Sequence, residues 1–426
     1  MADSTDLPSA HSDDDVDRRG FLSCMAWAGT GLLWTVTGGV PTSGILGARP
    51  PAKGELFFMQ ISDSHIGFSK AANADVTATM QAAIAKINAL PAQPAFLLHT
   101  GDISQLAKPS EFDTADQVLR DAKAKDVFFV PGEHDVGTDN GASYLERYGR
   151  KSKQAWYSFD HSGVHFIGLA NVFNLQAGGL GSLGAAQLEW LEKDVKHLSG
   201  STPIVVFAHV PLWAVYPKWG WATDDGARAL AYLKRFGSVT VLNGHIHQTL
   251  QKVEGNVTFH TAMSTAFPQP RPGTAPAPGP IVVPANQLRD VLGVTKVRYL
   301  AQHRHLAIVD ESLSGESATA ALATGEAAAR ASAPHAVASM ADAKKGIVSI
   351  ANFAFSPRLA QIAVGERITW TNDDDTAHRI QSAGSAFAPS AVLDTRASYS
   401  ATFAKPGHYP YFCSIHPTMT GTIVVR

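Results

Sequence analysis

Cysteine is scarce in this chain of 426 residues, which contains only Cys24 and Cys413. Cys24 lies in an N-terminal segment that has the features of a targeting sequence, so the mature protein would retain a single thiol. A disulfide within such a chain is excluded. Cys413 is therefore a buried apolar residue, a reactive thiol or a metal ligand.

Charged residues are also sparse, at 17% of the sequence, and they nearly cancel to a formal net charge of −2. No dense stripe of lysine and arginine provides the positive surface that nucleic acids require, so neither DNA nor RNA is expected as a partner. The hydrophobic fraction of 45% is ordinary for a globular protein and argues against overall disorder. A chain of this length is expected to form two or three domains.

Residues 1–48 are predicted to be a disordered N-terminus with an export signal. Arg18 and Arg19 are followed by Phe21, Leu22 and then about twenty uncharged residues. This pattern resembles a twin-arginine signal, which implies a periplasmic or other extracytoplasmic location. A membrane anchor is the alternative, since about twenty uncharged residues can cross a bilayer. Membrane contact is therefore expected only if the segment is not cleaved.

Residues 53–312 are predicted to form an α/β domain. Short apolar runs such as ELFFMQISD, AFLLHTGD and PIVVFAHV are typical of buried strands, and amphipathic stretches such as GAAQLEWLEKDVKHL lie between several of them. Most of these strands end in His, Asp or Glu. Because open α/β sheets bind ligands at the carboxyl ends of their strands, these ends indicate a functional site.

The composition changes twice after this domain. Residues 313–344 are rich in Ala, Ser and Gly, which predicts a linker. Residues 345–426 contain short alternating segments separated by turn residues, which predicts a small β-sandwich or barrel.

The strand ends of the α/β domain supply a set of carboxylates and imidazoles. They are Asp63 and His65 in SDSH, Asp102 in TGD, Glu133, His134 and Asp135 in PGEHD, His209 in FAHVP, and His245 and His247 in GHIH. Mixtures of carboxylate and imidazole suit Fe, Mn and Zn. A carboxylate shared between two ions lets them lie about 4 Å apart and generate hydroxide at neutral pH.

At these residues the chain resembles the calcineurin-like metallophosphoesterases, whose pattern is D-x-H, G-D, G-N-H-D/E, H and G-H-x-H. QISDSHIG and GHIH are most similar to the branch with bacterial class III cyclic-nucleotide phosphodiesterases. The resemblance implies a four-layer helix/sheet/sheet/helix sandwich and a metal-dependent phosphoric ester hydrolase. Its substrate would be a small phosphodiester or phosphomonoester, with nucleotides among the candidates, attacked by a hydroxide that bridges two divalent or trivalent ions.

The resemblance also implies roles for individual residues. One ion would be held by Asp63, His65 and His247, and the other by Glu133, His209 and His245, with Asp102 bridging them. His134 would contact the phosphate and help to protonate the leaving oxygen, and Asp135 would orient the His134 ring.

Glu133 departs from the family pattern, which has Asn at this position. Its additional negative charge should tighten metal binding and weaken the Lewis acidity of the ion. A slower enzyme, or one that prefers Fe³⁺, is therefore expected.

A second set of donors lies in the C-terminal domain. Cys413, His416 and Met419 follow one another at three-residue intervals in YFCSIHPTM, and His378 lies upstream in DDTAHRI. Two imidazoles, a thiolate and a weak axial thioether are the ligands of blue-copper sites. With VGERITWTN and PGHYPYFCSIHP around it, this set resembles the small cupredoxins of the amicyanin and plastocyanin group. The resemblance implies an all-β Greek-key sandwich that binds one copper ion.

Two functions for the whole chain stay open at this point. The first is an exported dinuclear-metal phosphoesterase with an appended type 1 copper domain and a redox partner for the copper. The alternative is a copper-binding or electron-transfer protein whose phosphoesterase domain is weakened through Glu133 and only binds a ligand. If the phosphoesterase site contains iron, the copper could set its oxidation state.

Overall fold

The computed structural model describes residues 32–37, 40–45, 56–149, 154–175, 178–300, 305–314, 346–351 and 353–426. Arg18 and Arg19 of the predicted export signal, and nearly all of the predicted linker, lie outside these residues, whereas part of the uncharged run after the two arginines is described. Two strands, β1 (Leu32–Thr37) and β2 (Val40–Ile45), pair antiparallel within a separate N-terminal unit. Among the described residues, no helix has the length and apolar character needed to cross a membrane.

The α/β domain alternates strands and helices along most of its length. Its strands are β3 (Leu56–Ile61), β4 (Leu97–His99), β5 (Val127–Phe129), β6 (Tyr157–His161), β7 (Val164–Gly168), β8 (Ile204–Phe207), β9 (Val239–Asn243), β10 (Gln251–Glu254), β11 (Val257–Thr261), β12 (Gly293–Leu300) and β13 (His305–Ser312). Its helices are α1 (Val76–Asn88), α2 (Pro109–Arg120), α3 (Glu133–Val136), α4 (Ala142–Tyr148), α5 (Ala185–Val195), α6 (Gly226–Leu233) and α7 (Leu288–Val291), with a 3-10 turn at Pro217–Trp219.

Two sheets form the centre of this domain. Their strand orders are β10-β11-β9-β8-β7-β6 and β13-β12-β3-β4-β5. Aromatic rings from both sheets meet between them: Phe58 lies edge-on to Phe166 at 5.4 Å, and Phe128 stacks on Phe159 at 3.9 Å. Helices α1 and α2 pack on the outer face of one sheet, and α5 and α6 on that of the other. The predicted α/β fold is confirmed.

Strand β3 shows how the sequence produces these layers. All six of its residues are buried. Because successive side chains of a strand point to opposite faces, Phe58 packs between the sheets while Phe57 and Met59 pack under the helices. A continuous apolar run is therefore required here rather than an alternating one.

The carboxyl ends of the parallel strands place the predicted donors together. Strands β3, β4 and β5 run parallel in one sheet, and β7, β8 and β9 run parallel in the other. The donors of SDSH, TGD and PGEHD follow the first three strands, and those of FAHVP and GHIH follow β8 and β9. One edge of the two-sheet sandwich therefore collects them.

The C-terminal domain is a β-sandwich. Its strands are β14 (Ile347–Ala351), β15 (Ala354–Ser356), β16 (Leu359–Ile362), β17 (Arg367–Asn372), β18 (Ile380–Ser382), β19 (Ser398–Thr402), β20 (Gly407–Cys413) and β21 (Thr420–Val425). They form the sheets β15-β14-β17-β19 and β16-β21-β20-β18. Buried Trp370 of β17 and Tyr411 of β20 meet in the core with ring centroids 5.1 Å apart. The prediction of an all-β domain is confirmed.

The two domains are in direct contact. The carbonyl oxygen of Gly137, at the end of α3, accepts hydrogen bonds from Arg379 Nη1 at 3.0 Å and from Ser414 Oγ at 3.3 Å. The amide of Gly178 donates to the carbonyl of Pro417 at 2.8 Å. Leu106 of the α/β domain packs against the apolar core of the β-sandwich. The surface that carries the SDSH and PGEHD donors therefore also holds the C-terminal domain.

Candidate metal centres

The first group of donors comprises Asp63, His65 and His247, whose ligand atoms all lie within 4.8 Å of one another. His65 Nε2 is 3.2 Å from His247 Nε2, and His247 Nε2 is 3.4 Å from Asp63 Oδ1. All three side chains are buried. This group could hold one metal ion, and it is the set that the sequence assigned to the first ion.

The second group comprises Glu133, His209 and His245. Glu133 Oε2 is 2.9 Å from His209 Nε2, and Glu133 Oε1 is 2.9 Å from His245 Nδ1. Asp102 lies between the groups, with Oδ2 at 3.5 Å from His65 Nε2 and 3.4 Å from His209 Nε2. A carboxylate in that position can serve both groups at once.

Several of these atoms have no hydrogen-bond partner among the described residues. They are Glu133 Oε2, His209 Nε2 and both ring nitrogens of His245. The 2.9 Å contacts of Glu133 with the two imidazoles are thus close in distance but do not have the geometry of hydrogen bonds. Buried polar atoms without partners are rare and unfavourable in proteins. A cation held by Glu133 Oε2, His209 Nε2 and one nitrogen of His245 would satisfy three of these four atoms, so the residues present fit a metal ion.

The imidazoles are held by their other nitrogens. Nδ1 of His65 lies 3.0 Å from Gln105 Oε1, Nδ1 of His209 lies 2.7 Å from the Thr100 carbonyl, and Nδ1 of His247 bonds the Phe267 carbonyl. An Nδ1–H that donates to an oxygen fixes the tautomer in which Nε2 has a free lone pair. These three rings therefore present Nε2 to the ions.

The backbone at this edge is held in an unusual conformation. Eleven described non-glycine residues have positive φ, and five of them are donors: Asp63, His65, Asp102, His245 and His247, with φ between 44° and 71°. Such residues persist only where the surrounding structure holds them in place, and they concentrate at functional sites. The hydrogen bond from the Asp63 amide to the Gly101 carbonyl, at 3.0 Å, is part of that support.

Electrostatics favour the ligating forms of Asp63, His65 and Glu133, whereas Asp102 and Glu133 raise the pKa of His209 against the effect of burial. Burial lowers the pKa of His65 to about 3 against the opposing effect of Asp102, so its ring is neutral at pH 7. Burial alone would raise the pKa of Asp63, but His247, His209 and His65 together hold it below its usual value. In the same way His245 and His209 outweigh burial and lower the pKa of Glu133. Neutral imidazoles and ionised carboxylates are the forms that bind metal.

His134 lies beside the donors and lines the pocket above them. Its Nδ1 donates to the Gln105 carbonyl at 2.8 Å, and its backbone amide donates to Asp102 Oδ1 at 2.9 Å. Although burial opposes it, the carboxylates of Asp102 and Glu133 raise the pKa of His134. Its ring orientation and its charge environment are therefore set by Gln105 and by the two carboxylates.

The expectation that Asp135 orients the His134 ring is wrong. The Asp135 carboxylate accepts hydrogen bonds from the amides of Gly132, Ile103 and Ser104 and from the Ser104 hydroxyl, at 2.8 to 3.1 Å. It is fully buried, and burial, with a further contribution from Asp102, raises its pKa to about 7. The Asp135 side chain thus links two segments. It accepts hydrogen bonds from the loop after β4, at Ile103 and Ser104, and from Gly132 at the start of α3.

Two residues of the site are missed by the sequence patterns. Gln105 holds His65 through its side chain and His134 through its carbonyl. His99, the last residue of β4, lies fully buried with Nε2 2.7 Å from Ser64 Oγ. The run GDISQ gives no signal for Gln105. A histidine inside the apolar run AFLLHT could have indicated His99.

The second candidate centre lies in the β-sandwich. Cys413 Sγ is 3.6 Å from His378 Nδ1 and 3.7 Å from His416 Nδ1, and the two Nδ1 atoms are 3.2 Å apart. Asp374 Oδ2 lies 2.9 Å from Nε2 of His378 and leaves Nδ1 for a ligand. A thiolate with two imidazoles is a soft donor set that suits copper.

The environment of Cys413 favours the thiolate. Burial raises the pKa of its thiol, but His378 and the amides of Arg379 and His416, each with nitrogen 3.4 Å from Sγ, lower the pKa overall. Met419 is buried in the same cluster, and its carbonyl accepts from the Cys413 amide at 3.1 Å. The structure thus brings His378, Cys413 and His416 together, and it joins the backbone of Met419 to that of Cys413.

Comparison with known proteins finds relatives of both domains. Residues 58–249 match the family described as calcineurin-like phosphoesterase, and residues 319–425 match the cupredoxin-like domain. A 3',5'-cyclic-nucleotide phosphodiesterase of Nostoc sp. is 25% identical over 214 residues, which cover 49% of this chain and 77% of that protein. A glycerophosphodiester phosphodiesterase of Enterobacter lignolyticus is 27% identical over 236 residues, covering 50% and 79%.

The C-terminal domain has relatives of its own. Amicyanin-alpha of Methylorubrum extorquens is 34% identical over 119 residues, which cover 27% of this chain and 93% of that protein. The prediction of a metal-dependent phosphoric ester hydrolase is confirmed at the level of the family. The chain thus combines a calcineurin-like phosphoesterase domain, matched over residues 58–249, with a C-terminal domain that belongs to the cupredoxins.

Proposed function

We propose that this protein is an exported phosphoesterase that hydrolyses a small phosphodiester at a pair of metal ions and carries a type 1 copper centre. The observation that supports the catalytic part is the convergence of two donor groups around Asp102, with buried atoms that have no hydrogen-bond partner. Each of these groups offers a carboxylate and two imidazoles. Such a set suits Fe, Mn or Zn.

The side chains of the site have separate proposed roles in binding the ions and the phosphate group. Asp63, His65 and His247 would hold one ion, Glu133, His209 and His245 would hold the other, and Asp102 would be shared between them. When bound, the ions would lower the pKa of a water molecule and neutralise charge on the phosphoryl oxygens. The Nδ1–H of His134 donates to the Gln105 carbonyl, which leaves Nε2 to face the substrate. From Nε2, His134 would bind a phosphoryl oxygen or donate a proton to the leaving oxygen.

The substrate class is proposed from the relatives and from the pocket. Two relatives are described as acting on cyclic nucleotides and on glycerophosphodiesters, both of which are phosphodiesters. Trp219 and Trp221 line the pocket beside His245. Their rings provide an apolar surface for the group attached to phosphorus.

The copper centre is proposed to use His378, Cys413 and His416 with Met419 as the axial ligand. A type 1 centre exchanges one electron at a time, so the second domain would exchange electrons with a redox partner. The side chain of Asp374 holds the His378 ring in place for this purpose.

The proposed reaction is tested with protein loaded with Mn²⁺ or Fe and a chromogenic diester, bis(p-nitrophenyl) phosphate. Wild-type protein should hydrolyse it, and His134→Asn should lower kcat by about 10² to 10⁴ because one proton donor is lost. Metal content, measured by mass spectrometry, should match wild type in the variant. Metal-loaded wild type that hydrolyses neither diesters nor monoesters would contradict the proposal.

The carboxylate of Glu133 faces His209 and His245, so it is proposed to ligate the ion directly. In Glu133→Asn one negative charge beside the ion is removed. Metal should then dissociate more readily, by about tenfold or more in Kd, while kcat at saturating Mn²⁺ should rise. Calorimetric titration and steady-state kinetics measure the two effects. If neither changed, the idea that Glu133 tunes the ion would be abandoned.

The copper assignment predicts an intense blue absorption when Cu²⁺ is added to the purified chain. Cys413→Ser should abolish it, because the band needs a copper–thiolate bond, and His378→Asn should abolish or shift it. His408→Asn is the matched control, since His408 is an exposed histidine of the same domain outside the proposed set. A colourless wild-type complex with copper bound at this site would rule out a type 1 centre.

The proposed export rests on the sequence around Arg18 and Arg19. Replacing both with lysine should leave the protein in the cytoplasm, because twin-arginine export requires the arginine pair. Arg49→Lys, beyond the uncharged run, is the control and should be exported normally. Cell fractionation and immunoblotting provide the measurement, and equal export of all three proteins would refute this route.

A further inference from the structure

The pocket above the phosphoesterase donors has a wall that comes from the other domain. His134 and His245 line it from the α/β side, and Phe353, His416 and Thr418 line it from the cupredoxin side. The cupredoxin residues belong to the copper-ligand loop or lie against it, since the Phe353 ring is 5.0 Å from the ring of His416. A ligand in the pocket therefore meets both domains.

His416 lies between the two centres. Its Nδ1 is 3.7 Å from Cys413 Sγ, within the proposed copper set. The same ring lies edge-on to His134, with centroids 5.3 Å apart. One imidazole thus contacts the proposed copper position on one side and the proposed phosphate-binding residue on the other.

This arrangement is fixed by hydrogen bonds to one carbonyl group. Gly137 ends α3, the helix that begins with Glu133 and His134, and its oxygen accepts from Arg379 and Ser414. Arg379 directly follows His378, and Ser414 directly follows Cys413. Both segments that carry copper ligands are therefore tied to the helix that carries phosphoesterase residues.

Close contacts with neighbouring carbonyl groups, and not the backbone conformation, explain why residue 137 is glycine. Its φ of −66° and ψ of −17° suit any residue. A Cβ at this position would lie 2.9 Å from the Ser414 carbonyl oxygen and 2.8 Å from that of Glu133. A side chain is thus excluded from two sides, by the Glu133 carbonyl of α3 and by the close approach of the copper-ligand loop.

We propose that the copper-ligand loop is a fixed wall of the phosphoester pocket, and that an oxyanion bound there is electrostatically linked to the oxidation state of the copper through His416. The inference rests on the proposed function of both centres. Reduction adds one electron to the copper and removes one positive charge behind this wall. A bound oxyanion favours the more positive, oxidised state, so it lowers the reduction potential.

The linkage is reciprocal. Oxidised copper raises the affinity for the oxyanion by the same factor by which the oxyanion disfavours reduction. Because the two charges would be several side-chain widths apart and partly screened, a factor of about three to ten is expected. The linkage requires no electron transfer between the two centres, so it does not depend on which metal the phosphoesterase site holds.

The test uses the full chain with copper in the cupredoxin and Zn²⁺ in the phosphoesterase site, because zinc has no redox chemistry. The midpoint potential is measured from the blue band in a one-electron redox buffer, with and without saturating tungstate. A tenfold linkage lowers the potential by about 59 mV. The Kd of tungstate, measured by calorimetry on oxidised and reduced protein, should differ by the same factor.

Two glycine variants distinguish the effect of displacing the copper-ligand loop from the general effect of a glycine-to-alanine substitution. Gly137→Ala should displace the loop and reduce the tungstate-induced shift to less than half, with the blue band retained. Gly384→Ala is the matched control, since a Cβ there meets nothing within 4 Å, and it should keep the full shift. Tungstate that binds without changing the potential would overturn this inference alone. Tungstate that does not bind would overturn the proposed phosphoesterase site as well.

Discussion

Buried carboxylates and imidazoles that face one another without hydrogen-bonding are the constraint on which the α/β domain depends. The Glu133 carboxylate lies between His209 and His245 at 2.9 Å from each, and yet Glu133 Oε2 and both rings keep atoms without a protein partner. Leaving such atoms buried costs about 1 to 3 kcal/mol each unless something else satisfies them. The protein therefore maintains a site whose polar groups are completed only from outside the chain.

The rest of the fold keeps those donors in place. Left-handed backbone at five donors is unfavourable by about 1 to 3 kcal/mol for each residue, and apolar packing on both faces of the sheets must offset it. The stacked rings between the sheets, Phe128 on Phe159 among them, supply part of that packing. The Asp135 carboxylate contributes in another way, since it satisfies three amides of adjoining loops at once.

The sequence predicts much of this arrangement because donor residues directly follow apolar strands. The strand before SDSH and the strand before FAHVP are recognisable runs, and parallel strands bring their ends to one edge. Gln105 escapes prediction because an amide inside a loop has no periodic or spacing signal. The roles of Asp135 and Gly137 could not be predicted from the sequence for a different reason. Each is decided by contacts with residues far along the chain, and Gly137 meets a residue 242 positions away.

The contact at Gly137 also limits how the copper-ligand loop can vary. Residues 413–419 supply proposed ligands at both ends and in the middle, while Ser414, Pro417 and Thr418 touch the α/β domain between them. Residues that contact the α/β domain thus lie directly beside the proposed ligands in this stretch. A change selected for the electronic properties of the metal would also reshape the pocket, so the two domains are expected to have evolved as a pair and not as interchangeable modules.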